Sequence, residues 1–308
     1  MALEVDSEES FPGFHYVSPL PWPANPERPN GTGTRNSLGV ESSSRVDNGS
    51  TLQLHAQFPA PPLPPGQIDL WRARLDQQAD SLSDLTNLLS PDEQERAARF
   101  RLRRDRDRFV LSRGLLRTIL SRYLSVGPRE IRFSYGLFDK PFLDRRWHES
   151  ALSFNVAHSR EMALYAITSR STVGVDVEFV EEFPKLEGVA RQFFSRRELD
   201  GLEKLPENER LLAFFTGWTR KEAYFKALGE GLTRSPTEVE LYLEPSRTAE
   251  VQAIGGEGGG RRFWRIETVL PAAGYVGAVA AEGDGWRIRW LDWQACRASD
   301  RPKGLERS

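Results

Sequence analysis

VGVDVEF, at residues 173–179, and WTRKEAYFKALGEGL, at residues 218–232, are the two stretches that decide the fold. In the first, valines alternate with Gly174, Asp176 and Glu178, and a period of two is typical of a strand. In the second, apolar side chains recur in steps of three and four, which is typical of a helix with one buried face. Both stretches therefore place carboxylates beside a predicted core.

Glu222 lies within the apolar stripe of the second stretch. The helix is predicted from about residue 208 to 228, and Gly229 suits a left-handed cap at its end. Lys226 follows Glu222 by one turn, near the edge of the same face. On an exposed surface the two would form an ordinary i,i+4 ion pair. A carboxylate that points inward needs a further partner.

The first stretch suggests where that partner is needed, because Glu222 would meet Asp176 and Glu178 if strand and helix pack together. Three carboxylates about 5 Å apart would repel one another by roughly 3 kcal/mol per pair, so such a cluster requires a cation or shifted protonation. Because the ligands would all be oxygen atoms, Mg²⁺ is favoured over zinc or copper, and phosphate oxygens commonly complete its shell. The alternative for Asp176 and Glu178 is a solvated acidic strand face.

Basic residues elsewhere are candidates for holding a phosphate. The run ERAARFRLRRDRDRF at residues 95–109 includes Arg96, and DKPF at residues 139–142 includes Lys140. His158 stands in NVAHSRE, at the end of a predicted strand. The alternatives are a solvated helix face for the arginines and an ordinary structural histidine.

Composition excludes several classes of protein. The chain has 308 residues and a net charge of -2, so it has no overall attraction to nucleic acid or to an anionic membrane. No run reaches the roughly 18 apolar residues of a membrane span, and the acidic start lacks the features of a secretory signal. The single cysteine, Cys296, excludes an internal disulfide. A cytoplasmic protein is expected.

Four segments are predicted along the chain. Residues 1–66 are rich in Pro, Gly and Ser and are expected to be a disordered extension, whose Pro-rich parts could alternatively dock an aromatic groove. Residues 67–172 form an N-terminal α/β half, residues 173–296 a C-terminal α/β half with the metal site, and residues 297–308 a tail.

Local patterns predict the elements of both halves. IDLWRARL is expected to be an edge strand, and SPDEQERAARF a helix capped by Ser90 with Glu93 as its capping-box partner. A second helix is expected from about residue 105 to 124. The other predicted strands are IRFSYG, SFNVAH, MALYAIT, VELYL, RFWRIETVL, YVGAVAAE and WRIRWLDW, and the other helices EGVARQFF and SRRELDGLEKL. GGEGGG, at residues 255–260, is expected to be a hairpin turn.

VGVDVE followed by WTRKEAYFK resembles the two-part signature of the phosphopantetheinyl transferases. DKPF, FNVAHSRE and FFSRREL resemble further elements of the Sfp-type subgroup in the same order, and the resemblance covers about residues 68–293. It implies an α/β (α+β) phosphopantetheinyl transferase fold, with two similar halves related by a pseudo-twofold axis and coenzyme A in the cleft between them. One departure is Ala157, where the subgroup usually has a serine, so one phosphate contact is expected to be absent.

The resemblance also implies an activity. A phosphopantetheinyl transferase moves the 4′-phosphopantetheine arm of coenzyme A to a serine hydroxyl of an apo acyl or peptidyl carrier protein and releases 3′,5′-ADP. Asp176, Glu178 and Glu222 would bind Mg²⁺ at the pyrophosphate. Lys226 would contact the same phosphates and offset charge on the leaving ADP. A monomer is implied, because one chain supplies both halves of the cleft.

Four further roles follow from the same resemblance. Lys140 and His158 would hold the 3′-phosphate and adenosine side of coenzyme A, with help from Arg96. Glu198 matches a glutamate that would deprotonate the serine, directly or through water. Lys221 lies inside the signature but is predicted to point away from Glu222, so a minor supporting role is expected for it.

Two other classes of function stay open on the sequence. The first is a non-catalytic protein that binds coenzyme A or a carrier protein on the same scaffold. Retention of all three acids and Lys226 argues against it, because a binding protein has little reason to keep a carboxylate cluster. The second is a nucleic-acid-binding protein that uses the arginine helix, and the balanced charge argues against it.

Overall fold

The computed structural model describes residue 60 and residues 62–136, 140–146, 151–169, 172–183, 186–229, 235–243, 248–254 and 261–294. The glycine-rich turn at 255–260, the tail at 297–308 and nearly all of the expected N-terminal extension lie outside the described residues. The described end of that extension contacts the folded part, because the Ala60 amide donates to the Arg122 carbonyl at 3.1 Å. Within the described ranges, no helix combines the length and apolar character needed to cross a lipid bilayer.

Strands and helices come in blocks along the described part of the chain: one strand, three α-helices, five strands, three α-helices and four strands. The strands are β1 (Gln67–Arg74), β2 (Phe133–Tyr135), β3 (Pro141–Leu143), β4 (Leu152–Ser159), β5 (Met162–Ser169), β6 (Val173–Phe179), β7 (Thr248–Ile254), β8 (Arg261–Val269), β9 (Tyr275–Glu282) and β10 (Arg287–Asp292). The α-helices are α1 (Leu82–Leu88), α2 (Pro91–Ala98), α3 (Arg103–Leu124), α4 (Leu186–Phe193), α5 (Arg196–Lys204) and α6 (Glu207–Leu228). Short 3₁₀ helices occupy Asp76–Ser81, Pro128–Glu130 and Pro236–Glu238.

Two four-stranded sheets organise these elements. The first has the strand order β10-β1-β5-β4 and the second β6-β9-β8-β7, while β2 and β3 form a small separate hairpin. All pairs are antiparallel except β1 with β10. The strands β4 and β6 are each at an edge, and the side chains of Ala157 and Val175 share one core between the two sheets.

Each sheet carries one long helix. Leu115 and Ile119 of α3 pack with Trp71 and Tyr165 on the first sheet. The second long helix, α6, packs on the second sheet, where Ala223 and neighbouring side chains meet those of β8 and β9. The two sheet-and-helix halves confirm the expected fold class.

The expected helix ends are confirmed. Helix α2 begins at Pro91, with a capping box formed by Ser90 and Glu93. The Ser90 amide donates to the Glu93 carboxylate at 2.9 Å. Helix α6 ends at Gly229, whose φ of 73° is in the left-handed region that suits glycine.

Strand β1 is not the edge strand that was expected from IDLWRARL. It lies between β10 and β5, and Asp69 is fully buried. The Asp69 carboxylate accepts hydrogen bonds from the Tyr123 hydroxyl at 2.6 Å and from the Arg289 guanidinium at 2.7 Å and 2.8 Å. Tyr123 and Arg289 come from distant elements, so a pattern within the eight residues of β1 could not reveal them.

The C-terminal half also differs from the expected span of 173–296. Strand β10 pairs in parallel with β1 of the first sheet, and Trp293 packs in the core of the first half. The described end of the chain therefore returns to the N-terminal half. The change from the first sheet to the second falls between β5 and β6.

VELYL was predicted to be a strand, but it does not form one. Val239, Leu241 and Leu243 are nevertheless buried in alternation. Two of its backbone groups bond to side chains. The Leu241 amide donates to the Glu198 carboxylate at 2.8 Å, and the Tyr242 carbonyl accepts from Arg220. Alternating burial predicts an extended segment, but it does not say whether a strand or a side chain will satisfy the backbone.

Candidate active site

Gly174 allows helix α6 to lie directly against strand β6. A Cβ at this position would be 1.9 Å from the Ala223 carbonyl oxygen and 2.5 Å from the Ala227 amide nitrogen. Any side chain would therefore separate the two elements. Asp176 is two residues further on and faces the same side of the strand. The close approach brings it to the turn of α6 that carries Glu222 and Lys226.

Asp176 and Lys226 are in direct contact. The Lys226 ammonium donates to Oδ1 of Asp176 at 2.7 Å, and Asp176 is 5% exposed. Oδ2 of Asp176 and Oε1 of Glu222 are buried and have no hydrogen-bond partner in the part of the chain that the structure describes. One ammonium group therefore compensates the carboxylates only in part.

The three carboxylates have raised pKa values. Burial raises the pKa of Asp176. Burial, followed by the charge of Asp176, raises the pKa of Glu178 to about 8. Burial, opposed by Lys226 and reinforced by Asp176, raises the pKa of Glu222 to about 7. Burial alone would lower the pKa of Lys226, but the three carboxylates outweigh it, so that pKa is raised. The structure thus brings together the four residues that the sequence predicted to meet.

These residues fit a divalent cation by their chemistry. Among the described residues, no three acidic, histidine or cysteine side chains form a ready-made metal cluster. The unpartnered oxygens of Asp176 and Glu222 are carboxylate oxygens, which are the donors that Mg²⁺ prefers. Burial, with repulsion from Asp176 as a smaller contribution, raises the pKa of Glu178 and Glu222, and a bound cation would stabilise their charged forms.

Lys140 adds a second ammonium group to the site. It precedes β3, and its Nζ donates to the main-chain carbonyl of Lys226 near the end of α6. Burial, followed by the charge of Lys226, lowers the pKa of Lys140 to about 8. Two lysines in this position suit an anionic ligand.

The other predicted ligand-binding residues, His158 and Arg96, lie on β4 and α2. His158 is exposed near the end of β4, beside Ser159. Arg96 is in the last turn of α2, with its guanidinium 5.8 Å from the ring centre of Phe109. Burial raises the pKa of Tyr135 in β2, and the charge of Arg96 partly offsets this rise. Because β2 pairs with β3, Arg96 is on the Lys140 side of the site.

Both carboxylate oxygens of Glu198 are bonded inside the protein. Glu198 is 4% exposed and accepts hydrogen bonds from the Lys221 ammonium at 2.6 Å, from the Ser195 amide at 2.7 Å and from the Leu241 amide at 2.8 Å. A base must reach the proton that it removes. These bonds give Glu198 a structural role, and its role as a general base stays a prediction.

Lys221 points away from the carboxylates, as the sequence predicted. It is fully buried and also donates to the carbonyls of Phe193 at 3.1 Å and Pro236 at 2.8 Å. Its ammonium group joins α6 to the end of α4, the start of α5 and the 3₁₀ helix at Pro236–Glu238. Its predicted role as a minor support understated this bonding.

Sequence reasoning missed the residues that hold strand β6. The Ser159 hydroxyl donates to Oε2 of Glu178 at 2.7 Å, and the Val175 amide donates to Oδ1 of Asn155 at 2.8 Å. Asn155 and Ser159 both lie in FNVAHSRE. Because they are four residues apart in a strand, they share one face, and this spacing is the sequence signal that both contact β6.

Comparisons with known proteins agree with this site. A sequence profile described as 4′-phosphopantetheinyl transferase superfamily matches residues 172–280, and one described as 4′-phosphopantetheinyl transferase, N-terminal, matches residues 71–170. The 4′-phosphopantetheinyl transferase HetI of Nostoc sp. is 39% identical to this chain over 239 residues. This alignment covers 77% of this chain and 98% of HetI.

Two further relatives align over shorter spans. The 4′-phosphopantetheinyl transferase gsp of Aneurinibacillus migulanus is 33% identical over 148 residues, 48% of this chain and 59% of the relative. The 4′-phosphopantetheinyl transferase Sfp of Bacillus subtilis is 30% identical over 147 residues, 48% of this chain and 63% of the relative.

Proposed function

The chain belongs to the 4′-phosphopantetheinyl transferase superfamily, and we propose that it transfers the 4′-phosphopantetheine arm of coenzyme A to a serine hydroxyl of an apo acyl or peptidyl carrier protein. Coenzyme A is the substrate that this family uses. The observation that supports the proposal is the meeting of Asp176, Glu178, Glu222 and Lys226 between β6 and α6.

The carboxylates would hold the cation. Asp176, Glu178 and Glu222 are the proposed ligands of Mg²⁺, because two of them have buried oxygens without a partner among the described residues and all three have a raised pKa. When bound, Mg²⁺ would supply a Lewis acid at the pyrophosphate of coenzyme A.

The lysines would hold the phosphates. In the proposed reaction, the serine hydroxyl gives its proton to a water molecule and its oxygen bonds to the phosphorus that carries pantetheine. The bond from that phosphorus to the bridging oxygen breaks, and 3′,5′-ADP leaves. Lys226 would stabilise the charge that develops on the leaving oxygen. Lys140 would bind phosphate, and His158 and Arg96 would contact the 3′-phosphate and adenosine side.

Transfer is favoured over simple binding. A non-catalytic protein that only held coenzyme A or a carrier protein would have little reason to keep three partly uncompensated buried carboxylates, because burying charge without a full partner is unfavourable. The family relatives are also named as transferases.

The proposal includes the setting in which the protein acts. We expect a cytoplasmic monomer, because one chain supplies both β6 and α6 at the site and its single cysteine suits a reducing compartment. The partner is an apo carrier protein, and no role for nucleic acid or a membrane is proposed.

Intact mass spectrometry tests the reaction. An apo acyl carrier protein incubated with this protein, coenzyme A and Mg²⁺ should gain the mass of one phosphopantetheine arm, and EDTA should prevent the gain. Asp176→Ala should abolish transfer, while the control Glu187→Ala, whose carboxylate is 86% exposed, should retain it. If several unrelated apo carrier proteins gain no mass, although the protein binds coenzyme A, the proposal is refuted.

A further inference from the structure

The two sheets meet edge to edge beside the carboxylate site. Strand β4 is an edge strand of the first sheet, and β6 is an edge strand of the second. β6 pairs with β9 on one side, and its other side faces β4. Along a strand, successive backbone N–H groups point to opposite sides, so the amides of Val175 and Phe179 point away from β9 when those of Gly174 and Glu178 point toward it. These outward amides need partners from outside their own sheet.

Side chains of β4 supply those partners. The Val175 amide donates to Oδ1 of Asn155 at 2.8 Å. The Phe179 amide donates to Oγ of Ser159 at 3.2 Å. Asn155 is 5% exposed. Two side chains, four residues apart, therefore join the sheets in place of a strand pair.

Ser159 makes a second bond that Asn155 does not. Its hydroxyl donates to Oε2 of Glu178 at 2.7 Å. A serine hydroxyl has one proton to donate and two lone pairs to accept with, so it can bond the Phe179 amide and the Glu178 carboxylate together. The same oxygen thus fixes the backbone after Glu178 and the direction of its side chain.

The turn after Ser159 is held against the same strand end. Arg160 has a φ of 49°, in the left-handed region that is uncommon for residues other than glycine. Its guanidinium lies 4.0 Å from the ring centre of Phe179 and forms an ion pair with Glu181. These contacts hold the turn next to Ser159, so the hydroxyl has a fixed place from which to donate.

We propose that Ser159 is a positioning residue, which aims the Glu178 carboxylate at the divalent cation and ties the cation site to the N-terminal half. The inference rests on the proposed function for the identity of the metal ligands. It assigns Ser159 no contact with substrate. A partner that orients a metal-binding carboxylate commonly changes metal affinity by about 10–100-fold.

Mn²⁺ binding to the full chain tests this inference. Mn²⁺ would be titrated into protein with saturating coenzyme A, and free Mn²⁺ measured by electron paramagnetic resonance against a blank of coenzyme A alone. Ser159→Ala should weaken Mn²⁺ binding by about 10-fold or more, and Ser159→Thr, which keeps a hydroxyl, should restore most of it. Ser169→Ala is the matched control, because Ser169 ends β5 and donates to the Leu63 carbonyl rather than to β6.

Each outcome bears on the inference. Equal Mn²⁺ affinity in Ser159→Ala and the unsubstituted protein would overturn it, as would an equal loss in Ser159→Ala and Ser159→Thr at unchanged melting temperature. Failure of the unsubstituted protein to bind Mn²⁺ would overturn it together with the metal assignment. Binding of Mn²⁺ that depends on Ser159, in a protein that transfers nothing to carrier proteins, would support the positioning role and refute the proposed reaction instead.

Discussion

Gly174→Ala should damage the active site through the backbone while every proposed catalytic side chain is kept. The new Cβ would lie 1.9 Å from the Ala223 carbonyl oxygen, and real Cβ atoms essentially never approach within 3.0 Å. Helix α6 must therefore retreat from β6 by about 1 Å, because neither backbone can be compressed. Forcing extra volume into such a contact costs about 1–3 kcal/mol of folding stability.

The retreat separates the residues that act together. Asp176 is on β6, while Glu222 and Lys226 are on α6, so the displacement opens the contact of 2.7 Å between Lys226 and Asp176. A misplacement of about 1 Å at a catalytic centre can lower the rate by about 10²-fold. We therefore expect kcat for phosphopantetheine transfer to fall by about that factor in folded Gly174→Ala protein.

The assay is initial-rate transfer to an apo acyl carrier protein, with the folded fraction checked by circular dichroism. Gly201→Ala is the matched control, since no atom lies within 4 Å of a Cβ at Gly201 and its rate should be unchanged. A Gly174→Ala protein with normal kcat would refute the reasoning that the close approach of β6 and α6 assembles the site.

Three further predictions follow from charges in the structure. In EDTA, the free energy of unfolding should fall as pH rises from about 5 to 8, because the raised pKa values of Glu178 and Glu222 make the folded protein bind more protons than the unfolded one. Denaturant titrations at several pH values measure this slope, and Glu222→Gln should reduce it; an unchanged slope would contradict the assignment. Coenzyme A affinity, measured by calorimetry, should weaken as pH rises through about 8, where Lys140 loses its charge, and Lys140→Met should abolish that dependence. Lys221→Met should destabilise the fold by about 3–5 kcal/mol because it leaves Glu198 buried without its cation, and adding Glu198→Gln should recover part of the loss; additive losses in chemical denaturation would count against the pair.

Local sequence patterns predicted the site well where both partners lie in short, periodic segments. Alternation in VGVDVEF placed Asp176 and Glu178 opposite the valines, and the structure confirms this arrangement, with Val173, Val175 and Val177 in the core. Helical spacing in the second stretch placed Glu222 inward, where burial raises its pKa. These patterns are reliable because strand and helix geometry is set within a few residues.

Sequence patterns missed contacts where a residue's partner lies far away in the chain. Lys221 and the Leu241 amide both bond to Glu198 in the fold. β1 was predicted to be an edge strand, yet β10 pairs with it and Arg289 of β10 bonds to Asp69. Neither contact leaves a periodic trace in the sequence.

By itself, the sequence determined the strand at VGVDVEF, the long helix α6 and the chemical groups available on them: three carboxylates, the lysines of α6 and Gly174. Only the tertiary structure decided which groups work together. It brought Gly174 against Ala223, returned β10 to the first sheet, and joined Ser159 to Glu178 across two sheet edges. The physical reason is that hydrophobic periodicity is local, whereas hydrogen bonds and ion pairs depend on which surfaces packing brings within about 3 Å.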